Sequence, residues 1–332
     1  MHSVRLTLRA VAAAALVAVA TALAAPAHAK GTHLAYVSSE KDNTLTLVDL
    51  KTLAVVGTIP TCKRPRHMKF LADQTRLMVA CTDSNRADII DLASRKTVDS
   101  VPLGDDPEAF DLSPDGKTAY VSLEEDGAVG IIDVASKKVI KSVPIGQEPE
   151  GVIVSPDGAR VYVTSEVANM VHVLDTATHK VIKNIQVGKR PRRFAFNADA
   201  SELWVTGELG SSVSIISTKE LKVIDTITFE VKGMRADDIS PVGIAMSPDR
   251  KTAYVSLGRA NHVAFVDVAS RKVKNLVLVG KRAWGVSLDR SGARAFVVNG
   301  LSDDMTVIDT ASAKAIKTVP VGRVPYMVIV DD

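Results

Sequence analysis

The chain has 332 residues, with 41 Lys and Arg against 38 Asp and Glu and a formal net charge of +3. That near-balance offers no argument for nucleic-acid binding. Hydrophobic residues make up 46% but aromatics only 4%, so a core must be filled by Val, Ile, Leu and Ala, which suits strands.

The first element is a leader. "MHSVRLTLR" carries Arg5 and Arg9, residues 10–24 are an apolar run, and Ala27-His28-Ala29 ends an A-x-A pattern. This reads as a secretory signal peptide over residues 1–29, cleaved after Ala29, with the mature chain in the periplasm. A membrane anchor fits less well, because a spanning helix needs about 20 residues. No later stretch is long and apolar enough to span.

From Leu34 onward the sequence repeats. The residue opening each "GVIVS"-like strand is Pro65, Pro107, Pro149, Pro191, Pro241, Ala283 and Pro325. The end of each "VxVxD" strand is Asp49, Asp91, Asp133, Asp175, Ser217, Asp267 and Asp309. Both markers step by 42, apart from one step of 50. Seven copies of four strands at this period predict an all-β fold, a seven-bladed β-propeller occupying residues 30–332. The eight-residue insertion falls near residues 230–240.

In the fourth copy the predicted strands are Gly151–Ser155 (A), Arg160–Ser165 (B), Met170–Asp175 (C) and Val181–Val187 (D). "SPDG" supplies the A–B turn: Pro sets φ and Gly takes the positive φ. The aspartates ending strand C recur in six of seven copies and read as turn-holding residues, since a catalytic carboxylate has no reason to recur around a ring. The chain begins with strands B, C and D (about Leu34 to Ile59) and ends with a lone strand A, "VPYMVIV". Pairing them closes the ring and removes the open edges.

The phrases "YVTSE", "YVSLE" and "SPDGKTAYVS" resemble the YVTN family of β-propeller repeats. "GDDPEAFDLSPDG", "TSEVANMVHVLDTAT", "KRPRRFAFNADASELWVTGELG", "ITFEVKGM" and "SLGRANHVAFVD" narrow this to a likeness with the PQQ-dependent catabolism-associated β-propeller proteins. That resemblance implies a periplasmic protein working alongside PQQ-dependent alcohol oxidation. Ala283 and Ser217 depart from the repeat.

The D–A and B–C connections share one face of a propeller, and there the copies differ. The residue after each strand-opening position runs Arg66, Glu108, Glu150, Arg192, Val242, Trp284, Tyr326 around the ring. A purely structural position would carry one residue type. The arrangement predicts a channel mouth with Glu108 and Glu150 as one wall, Arg66 and Arg192 as flanks, and Trp284 and Tyr326 as the apolar side. Glu166, His67, Arg193 and Arg282 extend it. Asp105, Asp106, Glu124, Glu125, Asp126 and Glu148 add acid to blades three and four, while Lys63, Arg64, Lys189, Arg190 and Lys281 add base elsewhere. The competing reading is that neighbouring charges only pair, worth about 0–1 kcal/mol each when exposed.

Enzyme motifs are missing: there is no G-x-S-x-G, P-loop, H-E-x-x-H or CxxCH in the sequence. No cofactor is expected. Glu108, Glu150 and Glu166 are the candidate oxygen ligands should a hard cation bind, and metal-dependent lactone hydrolysis is the enzymatic alternative to a binding role. A structural or cell-surface module is a third reading. An oxidising compartment permits a Cys62–Cys81 disulfide; the alternative is a buried thiol at Cys81 and an exposed one at Cys62. The expected molecule is a monomer that binds a partner protein or small ligand of the alcohol-oxidation system, without catalysis of its own.

Overall fold

The computed structural model describes residues 31–332, in seven four-stranded antiparallel sheets. The expected leader and its cleavage point lie outside the described residues. Among those described, no helix is long and apolar enough to cross a membrane. The innermost strands A run Pro325–Asp331, Pro65–Phe70, Pro107–Leu112, Pro149–Val154, Pro191–Phe196, Pro241–Met246 and Ala283–Leu288 in blades one to seven. They pack side by side around the central axis.

Blade four shows the common plan: Pro149–Val154 (A), Arg160–Ser165 (B), Met170–Asp175 (C) and Lys180–Gln186 (D). Strand A begins two residues earlier than its apolar run, because Pro149 already pairs with Ser165. Val152 then pairs with Val163, so one extra residue sits between these two pairings. The same bulge recurs in strand A of every other blade. A bulge re-aims side chains, and here it falls on the residue after each opening Pro.

The Ser or Thr in "YVTS", "YVSL" and "WVTG" explains how the bulges are held. Thr164 Oγ1 accepts the Gly151 N–H at 2.7 Å and donates to the Arg192 carbonyl of the next blade at 3.2 Å. Ser122, Thr206, Ser256 and Ser38 do the same work in blades three, five, six and one. One hydroxyl therefore satisfies a buried bulge donor and ties two blades together. Packing is tight at these seams: a Cβ on Gly151 would lie 1.9 Å from the Arg192 carbonyl oxygen.

The apolar core is distributed as seven layers, each between two adjacent blades. The layer between blades seven and one unites Val37 and Val328 with Phe296 and Val307. It forms because Pro325–Asp331 pairs with Leu34–Ser39, with Leu34 opposite Asp331 and Val37 opposite Val328. The ring thus closes as the termini predicted. The C–D turns also follow the reading: Asp175 accepts the Thr178 N–H at 2.8 Å and hydroxyl at 2.7 Å, and Ser217 Oγ accepts the Glu220 N–H at 3.1 Å. Six of the seven outer strands open on lysine, from Lys96 to Lys314, a charge that discourages edge pairing between molecules.

Cys62 and Cys81 form a disulfide, with Cα atoms 5.7 Å apart and both residues buried. The exposed free thiol weighed for Cys62 is therefore wrong. The bridge joins the connection into blade two to the end of its strand B (Arg76–Cys81).

Candidate functional site: a charged layer across the channel mouth

The D–A connection delivers each functional side chain through one repeated backbone device. The residue before the strand-opening position is left-handed in every blade, as at Asp106 (φ 48), Glu148 (φ 51), Arg190 (φ 54) and Arg282 (φ 63). In five blades its amide is received by a B–C side chain, as where Asn169 Oδ1 accepts the Arg190 N–H at 2.8 Å. Its carbonyl accepts the amide that follows strand B, Glu208 at 2.9 Å for Arg190 and Glu166 at 2.9 Å for Glu148. The residue after the Pro and the residue after strand B are thereby held next to each other at the mouth.

These paired positions build an ionic layer. Arg192 bonds Glu208 through Nε at 2.8 Å, contacts Glu166, and lies 3.2 Å from Glu150. Glu150 also meets Arg193 Nη2 at 2.9 Å and accepts from the Tyr326 hydroxyl at 3.1 Å. Arg190 reaches Glu166 at 2.7 Å and Arg282 reaches Glu208 at 2.8 Å. On the other side Arg66 bridges Glu40, at 2.9 Å, and Glu108. Five carboxylates thus face five guanidiniums. Glu108, Glu150, Glu166, Arg192 and Glu208 are all buried.

For the inner residues of the mouth the competing reading, that neighbouring charges pair, holds. The glutamate wall and arginine flanks neutralise each other, because the bulged A strands bring them close to one axis and buried carboxylates require partners. The apolar side is also closed over. Trp284 and Tyr326 stand with ring centroids 5.9 Å apart. Arg66 lies 4.7 Å over Tyr326, and Arg282 lies 5.0 Å over Trp284.

The electrostatics differ from carboxylate to carboxylate. Burial raises the Glu150 carboxyl, but Arg193, Arg192, Arg66 and the Tyr326 hydroxyl outweigh it and hold it at about 2. Burial pushes Glu166 up to about 7 against the pull of Arg192, with Glu150 and Glu208 adding to the rise. His67, just inside the channel, is driven down to about 3 by burial and by Arg193 and Lys69. It is a neutral imidazole whose ring meets Phe110 edge-on at 5.2 Å.

The three glutamates named as cation ligands do not converge. Glu150 and Glu166 are taken by Arg192. Glu108 instead groups with Asp106 and Glu124, their ligand atoms all within 4.8 Å of one another. Glu124 is raised by burial and then by Glu150 and Asp106. Three carboxylates offer up to six oxygens, and backbone carbonyls or water would complete the six to eight that a Ca²⁺ shell takes.

Outside the layer lies a rim that is not neutralised. Asp105, Asp106, Glu124, Glu125, Asp126 and Glu148 form no ion pair among the described residues, and Asp105, Glu125 and Asp126 are exposed. Lys63, Lys189 and Lys281 are exposed on the other blades. Two members of the layer, Glu40 and Glu208, escaped the sequence reading. They occupy the same repeat position as Glu124 and Glu166, directly after strand B, and that shared position was the available signal.

The YNCE-like beta-propeller family model matches residues 67–155, and the choice-of-anchor I domain model matches residues 210–331. These matches agree with a YVTN-type propeller. No curated protein matches the chain. Among solved structures, Kuenenia stuttgartiensis hydrazine synthase is similar at 23% identity and TM-score 0.75, over 84% of this chain and 93% of that one. A functionally unknown protein from Desulfotomaculum acetoxidans is similar at 16% identity and TM-score 0.76, over 90% and 99%. The dihydro-heme d1 dehydrogenase NirN in complex with DHE is similar at 16% identity and TM-score 0.67, over 90% and 75%. At these identities the likeness concerns the fold.

Proposed function

We propose that the protein is a non-catalytic periplasmic docking propeller, accessory to PQQ-dependent alcohol oxidation, which receives a partner protein on its mouth face. The observation that carries this reading is the contrast on that face. The inner charges cancel, while six carboxylates on blades three and four keep theirs. An unpaired acidic sector beside exposed lysines orients an incoming partner and raises its rate of encounter. The alcohol-oxidation assignment rests on the resemblance of the repeats and connections. Export to an oxidising compartment is supported by the leader and by the buried disulfide. Deleting the gene and growing cells on several alcohols tests the assignment: slowed growth restored by the wild-type gene is expected. Unaltered growth on every alcohol would count against it.

A second reading, a metal-dependent lactonase, is favoured by the Asp106, Glu108 and Glu124 cluster alone. It requires the purified protein to open lactones with added Ca²⁺ and to lose that activity on Glu108→Gln.

A further inference from the structure

Beneath the ionic layer the channel contains a cavity of about 220 Å³. Its wall is largely apolar, formed by Val152, Ile153, Phe194, Ile244, Val286 and Met327. An apolar cavity on the order of 150 Å³ accepts benzene, so this one has room for a single ring with a short substituent. We infer that the central channel is a second binding site, for an uncharged small molecule with a ring-sized apolar body and one hydrogen-bonding oxygen.

Charge and hydrogen bonding set the ligand class. Every ion that borders the cavity is already matched. Arg193 is held by Glu150 at 2.9 Å and by the Tyr326 hydroxyl, and Asp111 by Lys69 and the Val154 amide at 2.8 Å. His67 is neutral. A charged ligand would enter with no free counter-charge, which is costly away from water. Two lining residues nevertheless carry unused polar atoms: His67 Nδ1 and Trp284 Nε1 are buried and have no hydrogen-bond partner. The indole N–H is a donor only, and a neutral imidazole offers one donor and one acceptor. A hydroxyl or carbonyl oxygen is the complement to such a pair. Buried polar atoms are ordinarily satisfied.

Access comes from the face opposite the charged layer. At the mouth the Glu150, Glu166 and Glu208 side chains are no more than 5% exposed. Toward the A–B turns the Lys69 side chain is 41% exposed. The site is therefore independent of the docking rim.

The test titrates the disulfide-intact protein with benzyl alcohol, benzoate and benzylammonium by calorimetry and tryptophan fluorescence. Trp284 lines the cavity, whereas Trp204 is fully buried between blades five and six. Benzyl alcohol is expected to bind saturably at one site and shift the emission, with both ions at least tenfold weaker. Val286→Phe and Ile153→Phe fill the space and should abolish binding. Trp284→Phe should weaken it several-fold by calorimetry. Glu124→Lys, on the rim, should leave it unchanged, so that failure of this site and failure of the docking role are separable. The inference is overturned if no neutral probe binds saturably, or if an ion binds as well as the alcohol. It is equally overturned if a filling variant that melts like wild type keeps full affinity. Should both filling variants unfold, the selectivity of the wild-type protein decides the matter.

Discussion

Arg192→Met is the sharpest perturbation of the ionic layer. The guanidinium touches three buried carboxylates, Glu150, Glu166 and Glu208, and methionine retains most of its volume. Each carboxylate keeps a further partner: Arg193 for Glu150, Arg190 for Glu166, and Arg282 with Arg190 for Glu208. Breaking a buried ion pair by removing one side costs about 3–5 kcal/mol. For a chain of this size that lowers the melting midpoint by about 5–8 °C. The loss should depend on pH. Folded Glu166 titrates at about 7, above its unfolded value of about 4.3. Its favourable contribution is therefore complete below pH 4.3 and disappears as pH rises through 7. Without Arg192 this carboxyl rises further, so the variant recovers more than wild type on acidification. Circular dichroism melts at pH 7.5 and pH 5.5 should show the gap between variant and wild type narrowing at the lower pH. A midpoint within about 2 °C of wild type at pH 7.5, or a gap that does not change, would refute the reasoning.

Acid acts on wild type through the opposite kind of group. Glu150 is held at about 2, so its contribution is present above about pH 4.3 and is lost as pH falls toward 2; urea midpoints should drop across that interval, and less so in Glu150→Gln. Thr164→Val removes the hydroxyl that serves the Gly151 amide and the Arg192 carbonyl, and should cost about 1–3 kcal/mol in urea denaturation. Reducing the disulfide, which closes a loop of 19 residues in sequence separation, should cost about 3 kcal/mol, read as a lower melting midpoint in dithiothreitol that Cys62→Ser reproduces without reductant.

The blades were legible because one physical solution repeats. Strand length, A–B turns of the "SPDG" kind and the Asp that closes six of the seven C–D turns recur at a fixed step, and the two ends of the chain supply the halves of one blade. The mouth residues were legible as variation at a fixed position: Arg66, Glu108, Glu150, Arg192, Trp284 and Tyr326 all lie where the strand A bulge falls. What they do to one another was not legible. Pairing depends on the distance across the ring, and that distance follows from the bulge and the left-handed residue before it, neither of which has a residue-type signature. Arg64, Asp106, Glu148 and Arg190 are all left-handed there without glycine. Glu40 and Glu208 were hidden for a different reason. Glu124 and Glu166 at the same position drew notice through the acidic sector around them, whereas Glu40 and Glu208 stand among basic residues, where only the distances across the ring show that they pair with Arg66 and Arg192.

The docking role is tested most directly by capture from periplasmic extract of alcohol-grown cells. Wild-type protein is compared with the Glu124→Lys, Glu125→Lys, Glu148→Lys triple variant by quantitative mass spectrometry. These three side chains belong to the unpaired rim, so the fold and the channel cavity should be intact. The account predicts that wild type enriches a component of PQQ-dependent alcohol oxidation, that enrichment falls as salt rises, and that the variant loses it. Equal enrichment by the variant, or no such component captured by wild type at low salt, would contradict it.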